Sequence, residues 1–221
     1  MNTVRRGLAA LAVGGTTLAG VAVAGTSVVS AATRVPTSLT ISAPHEVSYS
    51  QAASVTGVLT NTRTHKALGG LKVVLRERRP GTLKWAVVAA STTSSAGKAA
   101  FSVVLTRAEQ VQLAHPATAS TQATTSSVRT INVAYAVAAT LTGTTVHASV
   151  APNAATQQVR LQKLTNHQWV TVQTTKLAAA STATFTIKAP KAPGTYSYRV
   201  EKSAAHGYLQ GVSTTLTLTV S

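Results

Sequence analysis

From residue 37 onward, apolar and polar residues alternate with a period of two. Phe101, Val103 and Leu105 form one such row, Phe185 and Ile187 another. Tyr196, Tyr198 and Val200, then Leu216, Leu218 and Val220, repeat the pattern near the end of the chain. Successive side chains of a strand point to opposite faces, so each row predicts a strand with one buried side. The residues between are largely Thr and Ser, which accept extended backbone and face water. The pattern predicts strands near 37–42, 53–60, 71–79, 83–91, 98–105, 109–119 and 127–133, and a corresponding set over 136–220. Arg79-Pro80-Gly81-Thr82 and Thr165-Asn166-His167 are turn sequences between such rows and predict hairpins.

The pattern occurs twice. Trp85 and Trp169 are 84 residues apart, as are Phe101 and Phe185, and the endings Ile131-Asn132-Val133 and Leu216-Thr217-Leu218 are 85 apart. Repeats of this kind decide architecture before any local reading does. About seven short strands in each copy of roughly 90 residues predict a two-sheet β-sandwich, so the expected fold is all-β with two tandem sandwiches. The boundaries expected are 33–134 for the first domain and 135–221 for the second. The joint near Val133-Ala134-Tyr135-Ala136 has no Pro, Gly or Ser run, which predicts a semi-rigid connection rather than a tether. The second copy looks pared down, because Val146 to Val150 is reached after only a Gly143-Thr144-Thr145 turn.

Before the repeats, Arg5 and Arg6 precede an uncharged apolar stretch from Gly7 to about Val29, and Ser30, Ala31 and Ala32 offer small residues for cleavage. Residues 1–32 are therefore expected to be a secretory signal peptide, the mature chain beginning near Ala32 or Thr33. The general secretory route fits better than twin-arginine export, because the residues around Arg5-Arg6 match the latter poorly. Cleavage would remove two of the 20 basic residues and none of the four acids, taking the formal charge from +16 to +14. No membrane span is expected after cleavage. With no cysteine, neither a disulfide nor a thiol-linked lipid is available.

Thr37 to Ser42, then Val47-Ser48-Tyr49-Ser50, Val55-Thr56-Gly57, Leu68-Gly69-Gly70-Leu71-Lys72-Val73, Trp85, and Thr92 to Gly97 before Phe101, resemble bacterial immunoglobulin-like modules of exported actinobacterial proteins. The Gly-Gly turn and the Thr-to-Gly turn also resemble the carboxypeptidase-regulatory-like variety. Where that variety often carries an Asp before the glycine, this chain has Ser94, Ser95 and Ala96. The resemblance covers nearly all of the mature chain and implies a sandwich fold in an extracellular setting. Its motifs are strands and turns, so it implies no activity.

The acids are Glu46, Glu77, Glu109 and Glu201, with no Asp. That scarcity argues against carboxylate-rich calcium loops, paired-carboxylate glycoside hydrolysis and acidic magnesium sites, and the lack of Cys excludes thiolate zinc. No catalytic triad can be assembled from a recognisable motif, and no cofactor motif is present. The expectation is no enzyme, no catalytic residue, no cofactor and no metal. His45, His65, His115, His147, His167 and His206 follow no ligand spacing and are expected as exposed loop and strand-end residues. Lys72, Asn132 and Glu77 are the only trio in the first copy that an isopeptide cross-link would use, and they read as solvated side chains. Trp85 and Trp169, at matching points of both copies, are expected to pack the sandwich or cap a hairpin rather than to stack on sugars.

Charge adds a candidate site. Lys72, Arg76 and Arg78 share one phase of a strand, opposite to Leu71, Val73 and Leu75, with Arg79 at the turn and Lys84 across the hairpin. At the rise of an extended chain this is a cationic stripe about 20 Å long. Such a stripe attracts anionic polymers in a salt-dependent way. The alternative is a sheet edge guarded by Lys and Arg against pairing. The function expected is a secreted binding protein that associates, through this basic strand face, with anionic cell-envelope polymers or another extracellular partner. A structural or accessory spacer is the alternative, followed by an unrecognised secreted enzyme or inhibitor. Export and the lack of aromatics clustered beside the basic residues argue against nucleic acid as the physiological partner.

Overall fold

The computed structural model describes Thr33–Ser221; the expected signal peptide lies outside the described residues. No helix occurs among them. Residues 37–134 carry β1 (Thr37–Leu39), β2 (Glu46–Ser48), β3 (Ala52–Asn61), β4 (Lys72–Arg78), β5 (Ala86–Thr92), β6 (Lys98–Val104), β7 (Glu109–His115), β8 (Thr124–Thr125) and β9 (Arg129–Ala134). One sheet has the order β1-β3-β6; the other runs β2-β9-β7-β4-β5, with β8 added on β7. All neighbours are antiparallel except β2 and β9, which pair in parallel through Glu46↔Asn132, Val47↔Val133 and Ser48↔Ala134.

Residues 136–220 repeat the plan with β10 (Ala136–Thr142), β11 (Thr145–Ala151), β12 (Gln158–Thr165), β13 (Gln168–Lys176), β14 (Thr182–Thr186), β15 (Gly194–Lys202), β16 (Gly211–Val212) and β17 (Leu216–Val220). Here β10-β11-β14 form one sheet, and β13-β12-β15 the other, with β17 and β16 both pairing with β15. Each copy thus stacks a three-stranded sheet on a larger one, with β5, β4, β7 and β9 side by side in the first and β13, β12, β15 and β17 in the second, which is an immunoglobulin-like sandwich. The sequence pattern did not predict β2 and β8, of three and two residues, which are too short for an alternating row.

The alternating rows form the two cores. Val55, Leu59, Val73, Leu75, Phe101, Val111, Leu113, Ile131 and Val133 meet in the first sandwich. Val146, Val150, Val159, Leu161, Phe185, Tyr198, Val200, Leu216 and Leu218 meet in the second. Gly57 stands on the inward row of β3 between Val55 and Leu59. A Cβ there would collide with the Thr40 carbonyl oxygen and with Leu113 Cδ1. The missing side chain is the space Leu113 fills.

A serine makes the same pair of bonds in both copies. Ser126 Oγ accepts from Leu113 N at 3.0 Å while Ser126 N donates to Leu113 O. Ser213 does the same with Val200, at 2.9 Å for each bond. The side chain stands in for a ladder partner at the break between β8 and β9 along β7, and between β16 and β17 along β15, so Leu113 N and Val200 N keep an acceptor there.

Ala134 closes β9, Ala136 opens β10, and the single residue between them, Tyr135, is buried. Tyr135 N donates to Leu209 O and Leu209 N to Val133 O, at 3.1 and 2.9 Å. The connection after β15 therefore folds back along the joint. At its tip His206 and Gly207 both have positive φ, 51° and 83°, and Ala205 and Tyr208 exchange backbone hydrogen bonds, a two-residue I′ hairpin turn. It presents Tyr208 to the first sandwich. The Tyr208 ring lies 5.1 Å from that of Tyr135 and 6.2 Å, edge-on, from that of Tyr49. Its hydroxyl donates to Thr106 O at 2.9 Å.

Candidate anion-binding face

Alternation along β4 turns Val73 and Leu75 inward and leaves Lys72, Val74, Arg76 and Arg78 on the other face. Opposite them on β7 stand Ala114, Gln112 and Gln110, through the pairs Val74↔Ala114, Arg76↔Gln112 and Arg78↔Gln110. Lys72 is exposed, while Arg76 and Arg78 are half-buried. β4 is an interior strand with β5 on one side and β7 on the other. Its cations cannot be guarding a sheet edge. The edge strand beside it is β5, and its sequence Ala-Val-Val-Ala-Ala-Ser-Thr carries no charge at all.

Arg79 and Lys84 belong to the 79–85 loop between β4 and β5, turned by a Thr82 N to Arg79 O bond of 3.1 Å with Gly81 at φ 83°. With Arg78, Trp85, Glu77 and Glu109 they line an open cleft. Arg78, Arg79 and Lys84 are thus drawn together at the end of β4, whereas Lys72 and Arg76 stand farther along the strand, outside the cleft. Lys72 and Asn132 lie on strands separated by β7, which keeps the isopeptide trio apart.

Neither tryptophan joins a core. Trp85 is half-buried on the same face as Arg78, whose guanidinium carbon stands 4.5 Å from the ring centre. Trp169 is likewise covered by Arg199 at 4.4 Å. Phase explains the departure from the expected packing role. Leu164↔Trp169 and Arg76↔Val87 register puts each indole on the outward row of its sheet.

One histidine departs from expectation. His115 ends β7 but is only 1% exposed. Its Nδ1 donates to Lys72 O at 2.7 Å, since a carbonyl only accepts, and Nε2 meets Thr121 Oγ1 at 2.8 Å. Both ring nitrogens are satisfied, so the residue fastens the start of β4 to the connection beyond β7. The other five histidines are exposed. Among the described residues, no three metal-ligating side chains come together, and no helix is long and apolar enough to cross a membrane.

Two of the four acids share the cleft. Burial lifts the Glu109 carboxyl above the ordinary carboxylate range, Glu77 adds to the rise, and Arg107 and Arg79 oppose it; the Arg107 ion pair is 3.7 Å long. A raised pKa means the folded state favours the protonated acid, so ionised Glu109 costs stability above that pKa. Glu109→Gln should raise the melting temperature at neutral pH. Its advantage over the wild type should shrink as pH falls through the raised pKa and close below the ordinary carboxylate range. Melting curves between pH 3 and 8 test this, and a Gln variant less stable at pH 7 would mean that the Arg107 contact outweighs burial.

No protein-family model matches this sequence, and no curated protein matches it. Among solved structures, a tetra-tandem repeat from the extending region of a large adhesion protein is 14% identical, over 82% of this chain and 48% of that one, with a TM-score of 0.36. The chain spans about half the length of that repeat structure. The D0-D1 domain of intimin is 14% identical over 83% of this chain and 98% of its own, with a TM-score of 0.32. Alpha-2-macroglobulin of E. coli is 10% identical over 84% and 17%, with a TM-score of 0.40. These likenesses are too slight to carry an argument, and the immunoglobulin-like assignment stands on the strand pairing alone.

Proposed function

We propose that this chain is an exported, non-catalytic binding protein of the bacterial immunoglobulin-like type that associates with anionic polymers of the cell envelope through the outward face of β4. The observation that carries the reading is the placement of Lys72, Arg76 and Arg78 on an interior strand of the sheet. Cations there present a face rather than protect an edge. Arg79 and Lys84 extend the positive charge into the cleft at the strand's end. The mature chain's excess of basic residues strengthens long-range attraction to a polyanion, and Arg5, Arg6 and the apolar stretch after them support export.

The test is retention of the mature protein on isolated cell-wall sacculi, with and without their anionic polymers, across a salt series. Retention should require the polymer and fade between about 50 and 200 mM salt, as displacement of counterions dictates. The triple variant Lys72→Ala, Arg76→Ala, Arg78→Ala should lose most of it at 50 mM salt. Retention that ignores both salt and the triple variant would overturn the reading. The joint built on Tyr135 and Tyr208 favours a second reading, a spacer that holds two modules in fixed register, which predicts no retention at any salt.

A further inference from the structure

The second sandwich carries a platform of the same construction, on residues that charge patterning alone does not pick out. In the first sandwich, Arg78 and Gln110 face each other across β4 and β7, Arg78 Nε donates to Gln110 Oε1 at 2.8 Å, and the guanidinium covers Trp85. In the second, Gln162 and Arg199 face each other across β12 and β15, Arg199 Nε donates to Gln162 Oε1 at 2.8 Å, and the guanidinium covers Trp169. The arginine and the glutamine have exchanged strands. They have also moved along them: counted from the matching core residues Leu75 and Leu161, the counterpart of Gln162 is Arg76, not Arg78. One three-residue contact is thus assembled twice on matching tryptophans from arginine and glutamine positions that do not correspond, which simple copying of one module would not produce.

The geometry has a chemical consequence. Each guanidinium is fixed by its Nε bond and by the indole beneath it, and among the described residues neither Arg78 nor Arg199 uses its terminal nitrogens in a hydrogen bond. Two parallel donors remain, already ordered, in the spacing that a carboxylate or phosphate accepts. Holding the fork in advance lowers the ordering cost of binding. The second platform is the weaker in charge, because Glu201 lies beside it, taken up by Arg160 at 3.4 Å and by Gln162 Nε2.

We propose that Arg199, on Gln162 and Trp169, is a second oxyanion site, and that the chain grips a linear polymer bearing one carboxylate or phosphodiester per repeat at two points, Arg78 and Arg199. The inference rests on the polyanion reading above and adds a site to it. Two linked sites turn the second contact into an intramolecular event, so a polymer long enough to reach both gains avidity that a short oligomer lacks.

The mature protein is titrated calorimetrically at 50 mM salt with poly(glycerol phosphate) and with polygalacturonate, each as long polymer and as short oligomer. The polymer that binds identifies the oxyanion. The wild type should take two oligomers and Arg199→Gln one. On the long polymer, Arg199→Gln should weaken apparent affinity about tenfold or more, with Arg78→Gln weakening it further. Arg199→Lys keeps the charge without the fork, and an effect approaching that of Gln marks bidentate recognition. Far-ultraviolet melting of each variant checks the fold. If the wild type binds but Arg199→Gln and Arg199→Lys match it in stoichiometry and affinity, the second site is overturned and the first reading stands. If the wild type binds neither polymer, both fall.

Discussion

Replacing Gly57 by Ala is expected to cost the first sandwich about 3 kcal/mol, the upper end of what overpacking a filled core does. The added methyl would stand against the Thr40 carbonyl oxygen on one side and Leu113 Cδ1 on the other. Neither yields easily. Thr40 is held to β3 by its backbone N donating to Val58 O at 3.1 Å, and Leu113 is fully buried in the facing sheet. For a sandwich of this size the melting temperature should fall by roughly 10 to 20 °C. Calorimetry should place the loss in one transition and leave the second sandwich's transition in place. A double variant with Leu113→Ala provides the control. Leu113→Ala alone leaves a cavity and should cost about 2 to 5 kcal/mol, but the Gly57 methyl would occupy part of it, so the pair should cost clearly less than the sum. Additive losses would show that Leu113 is not the obstacle.

Truncating Tyr208 should act on the joint rather than on either core. Its ring contacts Tyr135 of the second core and Tyr49 of the first sandwich, and its hydroxyl caps Thr106 O. Tyr208→Ala should remove about 2 kcal/mol of coupling, less than for a fully buried aromatic because the ring is only half-buried. The two sandwiches should then melt at more widely separated temperatures, and small-angle scattering should report a broader spread of arrangements. Tyr208→Phe keeps the ring contacts and should lose only the hydroxyl bond, about 1 kcal/mol. If Tyr208→Ala melts and scatters as the wild type does, the Leu209 backbone bonds alone hold the joint.

What the sequence made legible is the part governed by period. A row such as Phe101-Val103-Leu105 announces its face without help, and seven expected strands of the first copy each have an observed counterpart. What stayed hidden depends on cross-strand register. His115 closes a strand and gives no sign in sequence that Lys72 O and Thr121 lie in reach. Nothing in the sequence marks Arg199, because its partners Gln162 and Trp169 are 37 and 30 residues away. Trp85 and Trp169 were conspicuous as a repeat, yet only the pairing shows that they lie under guanidinium groups outside the core. Tyr208 follows the His206-Gly207 turn, and which neighbour that turn addresses is a tertiary fact.

The parallel pairing of β2 with β9 bears on how the molecule would carry load. β2 lies near the start of the first sandwich, and β9 runs straight into the second. Tension applied along the chain pulls these two strands in opposite directions along their common axis. Their bonds, including Asn132 N to His45 O and Tyr49 N to Ala134 O, both 2.9 Å, would be strained together rather than opened one after another. Once tension reaches β2, the first sandwich therefore resists stretching by shear along its pair with β9.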